Sequence, residues 1–257
     1  MNESTRSKIE LQGVRQVFGE TEALAPTDLT VAAGEFVSVI GPSGCGKSTL
    51  FNVVSGILKP TEGAAFIDGV DVTGKPGRVG YMLQKDLLLP WKTALENITL
   101  GAGLRGRVDR STKDAAARLA TKYGLGEFLN HFPHAMSGGM RQRVALMRTL
   151  SFTQDVMLLD EPFGALDSQT RFEMQSWLLS VWGEQASTVL FITHDVDEAV
   201  FLSDRIVVMS PRPGRIQEVL TVDLPRPRTL EMFTAPEFIR VKRRALDLIY
   251  SRTEGAS

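Results

Sequence analysis

The sequence predicts an α/β fold with a largely parallel sheet, a small antiparallel β subdomain beside it and an inserted α-helical subdomain. Short apolar runs alternate with longer segments of helical pattern, which is typical of a parallel sheet. Residues 156–159 and Thr188–Ile192 are continuous apolar runs, as expected for strands covered on both faces. Residues 93–152, in contrast, show helical patterns throughout, which indicates an insertion into the α/β core.

The remaining elements follow in chain order. Residues 8–34 and 60–83 predict short strands joined by turns, which we assign to the antiparallel sheet. The other predicted elements are a strand at 35–40, helices at 47–56, 93–100, 112–123 and 139–150, a strand at Arg205–Met209, a turn at 211–214 and an amphipathic helix near Pro236–Tyr250. We interpret residues 1–257 as one domain, with core and β subdomain at 8–83 and 153–220, helical subdomain at 84–152 and tail at 221–257.

Composition and charge exclude several classes of protein. The 257 residues include 29 basic and 30 acidic side chains, so no basic excess attracts nucleic acid and we expect no such partner. The single Cys45 excludes an internal disulfide framework; it is interpreted as a small loop residue, with a low-pKa thiolate as the alternative. The sequence has no run of about 18 apolar residues and no apolar stretch of a signal peptide. We therefore expect a cytoplasmic protein that serves a membrane only by docking to a partner.

A glycine-rich turn between a predicted strand and a predicted helix matches G-x-x-x-x-G-K-[ST]. Glycines let backbone N–H groups converge on a polyphosphate, and the following helix adds its positive N-terminal dipole. Lys47 would lie between the β- and γ-phosphates, Ser48 would offer its hydroxyl to Mg²⁺, and Thr49 would reach the α-phosphate. The alternative is a glycine-rich turn with an incidental lysine. The candidate nucleotide-binding residues are Gly41, Pro42, Ser43, Gly44, Cys45, Gly46, Lys47, Ser48 and Thr49.

Two carboxylates, Asp160 and Glu161, end the apolar strand at 156–159. Such a pair is costly to bury without a cation, and Mg²⁺ is that cation in phosphoryl transfer. Because side chains alternate along a strand, the two acids are expected to have different roles. Asp160 would hold Mg²⁺, and Glu161 would orient the attacking water as general base. The alternative is an ordinary acidic turn at the end of a strand.

A second helix start is suited to anions. Ser137, Gly138 and Gly139 come directly before a helical pattern with an apolar stripe. A Ser-Gly-Gly sequence leaves backbone N–H groups free to bind a phosphate at the helix N-terminus. The alternative is a common helix cap.

The order of these motifs resembles that of the nucleotide-binding subunit of an ABC transporter, over residues 8–220. The resemblance implies a P-loop NTPase core of the RecA-like type, with ATP and Mg²⁺ as cofactors. It also implies a homodimer of two head-to-tail copies with two ATP molecules between them, in which the glycine-rich turn of one copy faces Ser137 and Gly139 of the other. The motifs that carry the resemblance are residues 41–48, Gln84, residues 136–140, residues 156–161, residues 164–167 and His194.

The resemblance assigns roles to four further residues. It implies that Gln84 contacts Mg²⁺ and the attacking water, and that His194 contacts the γ-phosphate. It implies that Asp167 communicates across the dimer and that Phe18 stacks on adenine. Taken alone, Gln84 could be a solvated side chain, Phe18 a core residue and His194 a helix-start residue. The implied catalytic set is Glu161, His194, Gln84 and Lys47, and the implied metal ligands are Ser48, Gln84 and Asp160.

The chain departs from the family's pattern at one motif. The family's signature usually reads Leu-Ser-Gly-Gly-Gln, whereas Met136 and Met140 stand at the outer positions here. The phosphate-facing Ser137 and Gly139 are present. Because Met140 lacks the hydrogen bonds of a glutamine, we expect polar contacts across the dimer to differ without loss of hydrolysis.

Three further segments resemble ABC importers of nitrate, taurine and aliphatic sulfonates: residues 87–91, 210–216 and 223–228. The alternative is that they are generic turns. The resemblance implies membrane permease subunits as partners, a periplasmic substrate-binding protein as an indirect partner, and a place on the cytoplasmic face of a bacterial inner membrane. Residues 84–101 are the candidate surface for a permease helix, with packing inside the helical subdomain as the alternative.

Two rival functions are weighed against an import ATPase. A soluble ABC ATPase that acts on ribosomes or DNA would be expected to have two nucleotide domains, long insertions or basic surfaces. A regulatory binding module without catalysis is disfavoured because Glu161 and His194 are both present. No residue of the chain is expected to touch the transported molecule.

Overall fold

A computed structural model describes residues 7–250 apart from residues 105, 107, 153 and 154. Ten strands and eight α-helices are recorded in these residues. The strands are β1 (Ser7–Phe18), β2 (Thr21–Ala32), β3 (Phe36–Ile40), β4 (Glu62–Ile67), β5 (Val70–Asp71), β6 (Gly80–Met82), β7 (Val156–Asp160), β8 (Thr188–Ile192), β9 (Arg205–Met209) and β10 (Ile216–Thr221). The helices are α1 (Lys47–Val54), α2 (Ala94–Ile98), α3 (Leu100–Leu104), α4 (Arg110–Lys122), α5 (Gly138–Phe152), α6 (Ser168–Gln185), α7 (Val196–Leu202) and α8 (Pro236–Tyr250).

The larger sheet has six strands in the order β10-β9-β3-β8-β7-β6. All its pairs are parallel except β10 with β9, which is antiparallel at one edge. Both of its faces are covered, and β7 shows how: Val156 and Leu158 pack in a core shared with α1 and the smaller sheet, whereas Met157 and Leu159 pack in a core with the other helices. Every residue of β7 and β8 is buried, so the expectation of strands covered on both faces is confirmed.

The smaller sheet is antiparallel, in the order β2-β1-β4-β5. The sequence predicted short strands here, and this was wrong for β1 and β2, which have 12 residues each. Their pairing shifts register between Leu11 and Val14, where Gly13 has φ = 56°. A bulge of this kind bends a long strand without ending it, so Gly13 and Pro26 resemble turn signals in the sequence.

The sequence-based assignment of β6 to the antiparallel sheet was also wrong. Residues 80–82 were placed in the antiparallel sheet, but β6 pairs in parallel with β7 at the edge of the larger sheet, with Gly80 opposite Met157 and Met82 opposite Leu159. The side chain of Met82 is buried in the core on the helical side. Three residues are too few to show a strand period, so the sequence could not assign this strand to a sheet.

Helices α2 to α5 lie between β6 and β7 in the chain, but residues 93–152 are not helical throughout. Between α4 and α5 the chain forms two 3₁₀ turns, Gly126–Phe128 and Pro133–Ala135, joined by irregular segments. Helix α2 begins with a capping box, in which Thr93 accepts from the Glu96 amide and the Glu96 carboxylate accepts from the Thr93 amide. The bounds proposed for the subdomains remain predictions.

Helix α8 matches the predicted amphipathic helix near the C-terminus. Phe238, Val241, Ala245 and Leu248 are its buried residues, and they recur at helical spacing on one side. Within the described residues, no helix combines the length and the apolar character that crossing a bilayer requires.

Candidate nucleotide site

The glycine-rich loop joins β3 to α1 and approaches the smaller sheet closely. Gly46 has φ = 102°, a conformation that side chains rarely adopt, and a Cβ at this position would lie 2.7 Å from Leu24 Cδ2 and 2.9 Å from the Ala23 carbonyl oxygen. Glycine is therefore required both for the turn and for the contact with β2. The loop ends where α1 begins, with the Leu50 amide donating to the Gly46 carbonyl at 2.9 Å.

The side chains of Lys47 and Cys45 meet within this loop, where Lys47 Nζ donates to Cys45 Sγ at 3.8 Å. The Lys47 ammonium donates to the carbonyls of Gly41 at 2.8 Å and Pro42 at 3.0 Å, so its charge lies within the loop. The Cys45 side chain is buried, and burial raises the pKa of its thiol although Lys47 opposes the shift. The thiol is therefore neutral near neutral pH, and the low-pKa thiolate considered from the sequence is wrong.

The carboxylate of Asp160 meets the start of α1. Ser48 Oγ donates to Asp160 Oδ2 at 3.1 Å, which joins two of the three residues predicted as metal ligands. Burial raises the pKa of the Asp160 carboxyl, and the charge of Glu161 adds to the rise, whereas the bond from Ser48 and the charge of Lys47 lower it. A cation bound near Asp160 would stabilise the ionised form of its carboxylate.

Glu161 follows the end of β7 in a left-handed conformation with φ = 49°. A non-glycine residue in this region costs on the order of 1–3 kcal/mol, and such strain is common at functional sites. The conformation is held by a bond of 2.9 Å from the Glu161 amide to the Ile192 carbonyl. Gln84 Nε2 donates to Glu161 Oε2 at 2.9 Å, and His194 Nδ1 lies 3.4 Å from Glu161 Oε1. The structure thus brings together three predicted catalytic residues that are distant in the sequence.

The residues on either side of His194 belong to a partly buried polar network. Thr193 Oγ1 donates to Glu198 Oε2 at 2.6 Å and accepts from the Asp195 amide at 3.0 Å. Arg171 lies 3.5 Å from the Asp195 carboxylate and 3.7 Å from that of Glu198. Burial raises the pKa of Glu198, and the bond from Thr193 is the largest opposing influence. This network fixes the backbone that presents His194.

Arg171 extends the network to the residue before Asp167. Its Nη2 donates to the Leu166 carbonyl at 3.0 Å. Asp167 itself caps helix α6 by accepting from the Thr170 amide at 3.0 Å, and this bond lowers the pKa of its carboxyl. The segments that contain Asp167 and His194 are therefore connected through one arginine.

A cleft of about 540 Å³ opens beside the glycine-rich loop. Ten predicted site residues line it: Phe18, Ser43, Gly44, Gly46, Lys47, Ser48, Thr49 and Gln84, together with Asp160 and Glu161 at its acidic end. The half-exposed ring of Phe18, at 50% accessibility, is free to contact a planar group. The cleft also includes residues that were not predicted, namely Thr21, Ala23, Ile192 and Arg212.

Other predicted residues lie outside this lining. Gly41, Pro42 and His194 line an adjoining cavity of about 460 Å³ together with Ile249 and Tyr250 of α8, and Cys45 is buried beneath the loop. Ser137, Gly138, Gly139 and Asp167 are absent from the lining of the cleft in the described part of the chain.

The Ser-Gly-Gly segment forms the start of α5. Ser137 and Gly138 are exposed, and Ser137 Oγ accepts from the Met140 amide at 3.2 Å. A Cβ on Gly139 would lie 3.0 Å from Leu166 Cδ2, so this helix start packs close to the segment that contains Asp167. Met136, the unusual residue before Ser137, is buried, as a leucine would be.

The parallel core, the loop from β3 to α1 and the acidic end of β7 define a P-loop NTPase fold. The protein family described as "ABC transporter" matches residues 24–164. The aliphatic sulfonates import ATP-binding protein SsuB of Bacillus cereus is 39% identical over 242 residues, covering 93% of this chain and 94% of the relative. The taurine import ATP-binding protein TauB of Rhizobium johnstonii is 44% identical over 210 residues, covering 81% and 80%.

Comparison with solved structures indicates the same family. A bacterial ABC transporter cassette, MJ0796, solved as a dimer, is 33% identical to this chain and superposes with a TM-score of 0.76, covering 84% of this chain and 100% of the cassette. The chain therefore belongs to the ABC transporter family, as an ATP-binding and ATP-hydrolysing subunit. The predicted fold class, with its P-loop core and second, antiparallel sheet, is confirmed.

Proposed function

We propose that this chain hydrolyses MgATP in a homodimer and thereby drives uptake of a small sulfonate or related anion through a separate permease. The observation that carries the proposal is the cluster of Gln84, Glu161 and His194 beside the loop that holds Lys47. A carboxylate positioned by two polar neighbours at the end of a phosphate-binding cleft can orient a water molecule for in-line attack.

Each residue in the cleft has a role in this proposal. Glu161 is the general base, while Gln84 and His194 contact the attacking water and the γ-phosphate. Lys47 and the loop amides neutralise the phosphates, and Phe18 stacks on adenine.

The oxygen atoms of Ser48, Asp160 and Gln84 suit Mg²⁺, a hard cation that usually keeps several waters and takes only one or two carboxylates. Ser48 and Asp160 are already within 3.1 Å of each other. Among the described residues, no three His, Cys, Asp or Glu side chains cluster as a metal cage, which fits an ion that is held largely by phosphates and water. Bound there, Mg²⁺ would offset negative charge on the phosphates during transfer.

The homodimer places Ser137, Gly138 and Gly139 of one copy against the nucleotide in the cleft of the other. Two features support this arrangement: the Ser-Gly-Gly helix start is exposed, and it lies outside the cleft of its own chain. Asp167, on the neighbouring segment, would meet the partner at the same interface. MJ0796 was solved as a dimer.

The transport part of the proposal draws on the relatives, two of which are named as import ATP-binding proteins for taurine and for aliphatic sulfonates. We infer that the substrate is of the nitrate, taurine or alkanesulfonate type, and that a periplasmic protein supplies it to the permease. The chain would then work at the cytoplasmic face of a bacterial inner membrane.

The segment at 84–101 offers a surface for the permease. Trp91 and Leu87 are 69% and 53% exposed, which is unusual for large apolar side chains in one segment. Arg148 donates to the carbonyls of Asp86 and Leu87 at 2.7 and 2.8 Å, and Arg141 binds the Asp86 carboxylate at 3.0 Å. Both arginines belong to α5, so this surface is mechanically joined to the helix that begins at Ser137.

Replacement of Trp91 by Asp tests the transport role. An aromatic residue at the centre of an interface contributes about 2 kcal/mol or more, so we expect uptake of taurine or ethanesulfonate to fall about tenfold or more. The ATPase rate of the purified subunit should stay unchanged. The measurement is uptake of labelled sulfonate in cells that depend on this chain.

Ile57→Asp is the matched control, because Ile57 is 62% exposed but lies outside the segment at 84–101. It should retain uptake. Parent-level uptake by the Trp91→Asp variant would contradict the permease surface. Failure of the parent chain to support uptake of any such anion would favour the rival function, a soluble ABC ATPase that is not linked to transport.

A further inference from the structure

The lining of the nucleotide cleft includes a positively charged side chain, that of Arg212, which belongs to none of the predicted nucleotide-binding motifs. Arg212 lines the cleft together with Phe18, Lys47 and Glu161, and it is exposed to solvent. Within the described residues, no hydrogen bond or ion pair of its side chain is recorded. By contrast, Arg205 and Arg226 near the same strand bind Glu35 and Asp204. The guanidinium of Arg212 is therefore available to a ligand in the cleft.

The turn that carries Arg212 is fixed against the glycine-rich loop. It connects β9 to β10, and within it the Gly214 amide donates to the Ala23 carbonyl at 3.0 Å while the Ala25 amide donates to the Gly214 carbonyl at 2.9 Å. A Cβ on Gly214 would lie 1.8 Å from the Cys45 carbonyl oxygen, so the turn touches the loop directly. Ser210 closes the turn by accepting from the Arg215 amide at 3.2 Å. These contacts hold the backbone of Arg212 in one place relative to the loop.

We propose that Arg212 binds the phosphate chain of the nucleotide. The inference rests on the proposed binding of MgATP in this cleft and adds a contact from the turn between β9 and β10. Phosphate oxygens are the preferred partners of a guanidinium, which is always charged and offers paired donors. The turn packs on Cys45 and Ala23, which adjoin Gly46, so it reaches the cleft from beside the phosphate loop. Lys47 binds loop carbonyls from within, and Arg212 adds a second positive charge from outside the loop.

Calorimetric titration with MgATP of the Arg212→Ala and Arg215→Ala variants tests this contact. Arg215 is the matched control, since it lies in the same turn, carries the same charge and is exposed, but does not line the cleft. We expect the Kd of Arg212→Ala to rise about tenfold, equivalent to about 1.4 kcal/mol, with less than a twofold change for Arg215→Ala. The loss should shrink at high salt and should be partly restored in Arg212→Lys.

Titration with MgGTP separates a phosphate contact from a base contact. Equal losses for ATP and GTP in Arg212→Ala support the proposal. A loss confined to ATP, or equal affinities in Arg212→Ala and Arg215→Ala, overturns it. Lys47→Ala reports on the proposed function separately: if that variant binds MgATP as the parent does, the cleft is not the nucleotide site and the larger proposal fails.

Discussion

Two helix starts in this chain have the chemistry to bind a phosphate, yet their surroundings differ. At the start of α1, Lys47 and Ser48 lie in a cleft beside the carboxylates of Asp160 and Glu161, so cation, hydroxyl and acid are together. At the start of α5, Ser137 caps its own helix beside exposed Gly138. The second start has donors, but the carboxylate recorded near it, that of Asp86, is bound to Arg141, which also donates to the Met136 carbonyl.

The starts of helices α1 and α5 are therefore not equivalent binding sites. The first is equipped to hold a polyphosphate and to act on it, because a base and metal ligands converge there. The second can only add N–H donors and the helix dipole to an anion that something else holds. A complete site in this proposal needs one of each, and the chain keeps its own pair apart.

Replacement of Glu161 by Gln should have the largest effect on the first start. Glutamine keeps the size of the side chain and can still bind Gln84, but it cannot accept a proton from water. We expect turnover to fall by at least about 100-fold, with the affinity for MgATP retained. The measurements are phosphate release and nucleotide titration, with size-exclusion chromatography to detect an ATP-bound dimer that persists.

Glu127→Gln is the control for the loss of one carboxylate, because Glu127 is exposed in a 3₁₀ turn between α4 and α5. It should hydrolyse ATP at the parent rate. If Glu161→Gln does the same, Glu161 is not the base and the acidic end of the cleft has another role.

A mixture of two inactive variants examines whether the two starts act on one nucleotide. Lys47→Ala damages only the first start and Ser137→Arg only the second. In a mixed dimer, one site combines the intact loop of the Ser137→Arg chain with the intact helix start of the other chain. Equal mixing puts half of the dimers in this state, and one of their two sites works, so we expect about a quarter of the parent rate from random pairing.

Each variant alone should be nearly inactive, and that is the control for the mixture. Phosphate release is the measurement, after the two chains are mixed in equal amounts. Parent-level hydrolysis by the Ser137→Arg chain on its own would contradict a site shared between copies.

The sequence predicted the first start more completely than the rest of the cleft. Residues 41–49 are contiguous, so their chemistry is visible as one motif between a strand and a helix. The proximity of Gln84, Glu161 and His194 depends on β6, β7 and β8 being neighbours, and only the resemblance to a family joined them beforehand. Arg212 was missed as a site residue because residues 210–216 were interpreted only as a turn and as a segment that resembles importers. The contact of Gly214 with Cys45, which brings this turn to the cleft, joins residues that are far apart in the chain.

In the fold, too, local patterns were predicted from the sequence and long-range pairing was not. Long apolar strands such as β7 and β8 were predicted because burial on both faces leaves a continuous apolar run. Strand β6 was assigned to the wrong sheet, since three residues carry no period and only pairing with β7 decides its place. Helix α6 was not separately predicted. Its buried residues Met174, Trp177, Leu178 and Val181 recur at helical spacing, but Phe172 and Leu179 place apolar side chains on the opposite side, so the apolar stripe is not distinct in the sequence.

Substitutions of Ser137 separate capping from catalysis, and the stability change expected from them is the smallest of the predicted effects. Ser137→Ala removes the acceptor for the Met140 amide, which should lower the free energy of unfolding by about 1 kcal/mol. Ser137→Asn keeps an N-cap acceptor, so its stability in urea should match the parent, but its larger side chain projects from the exposed helix start. We therefore expect Ser137→Asn to lose ATPase activity without losing stability. Parent-level turnover in a stable Ser137→Asn chain would mean that this helix start only caps α5 and meets no nucleotide.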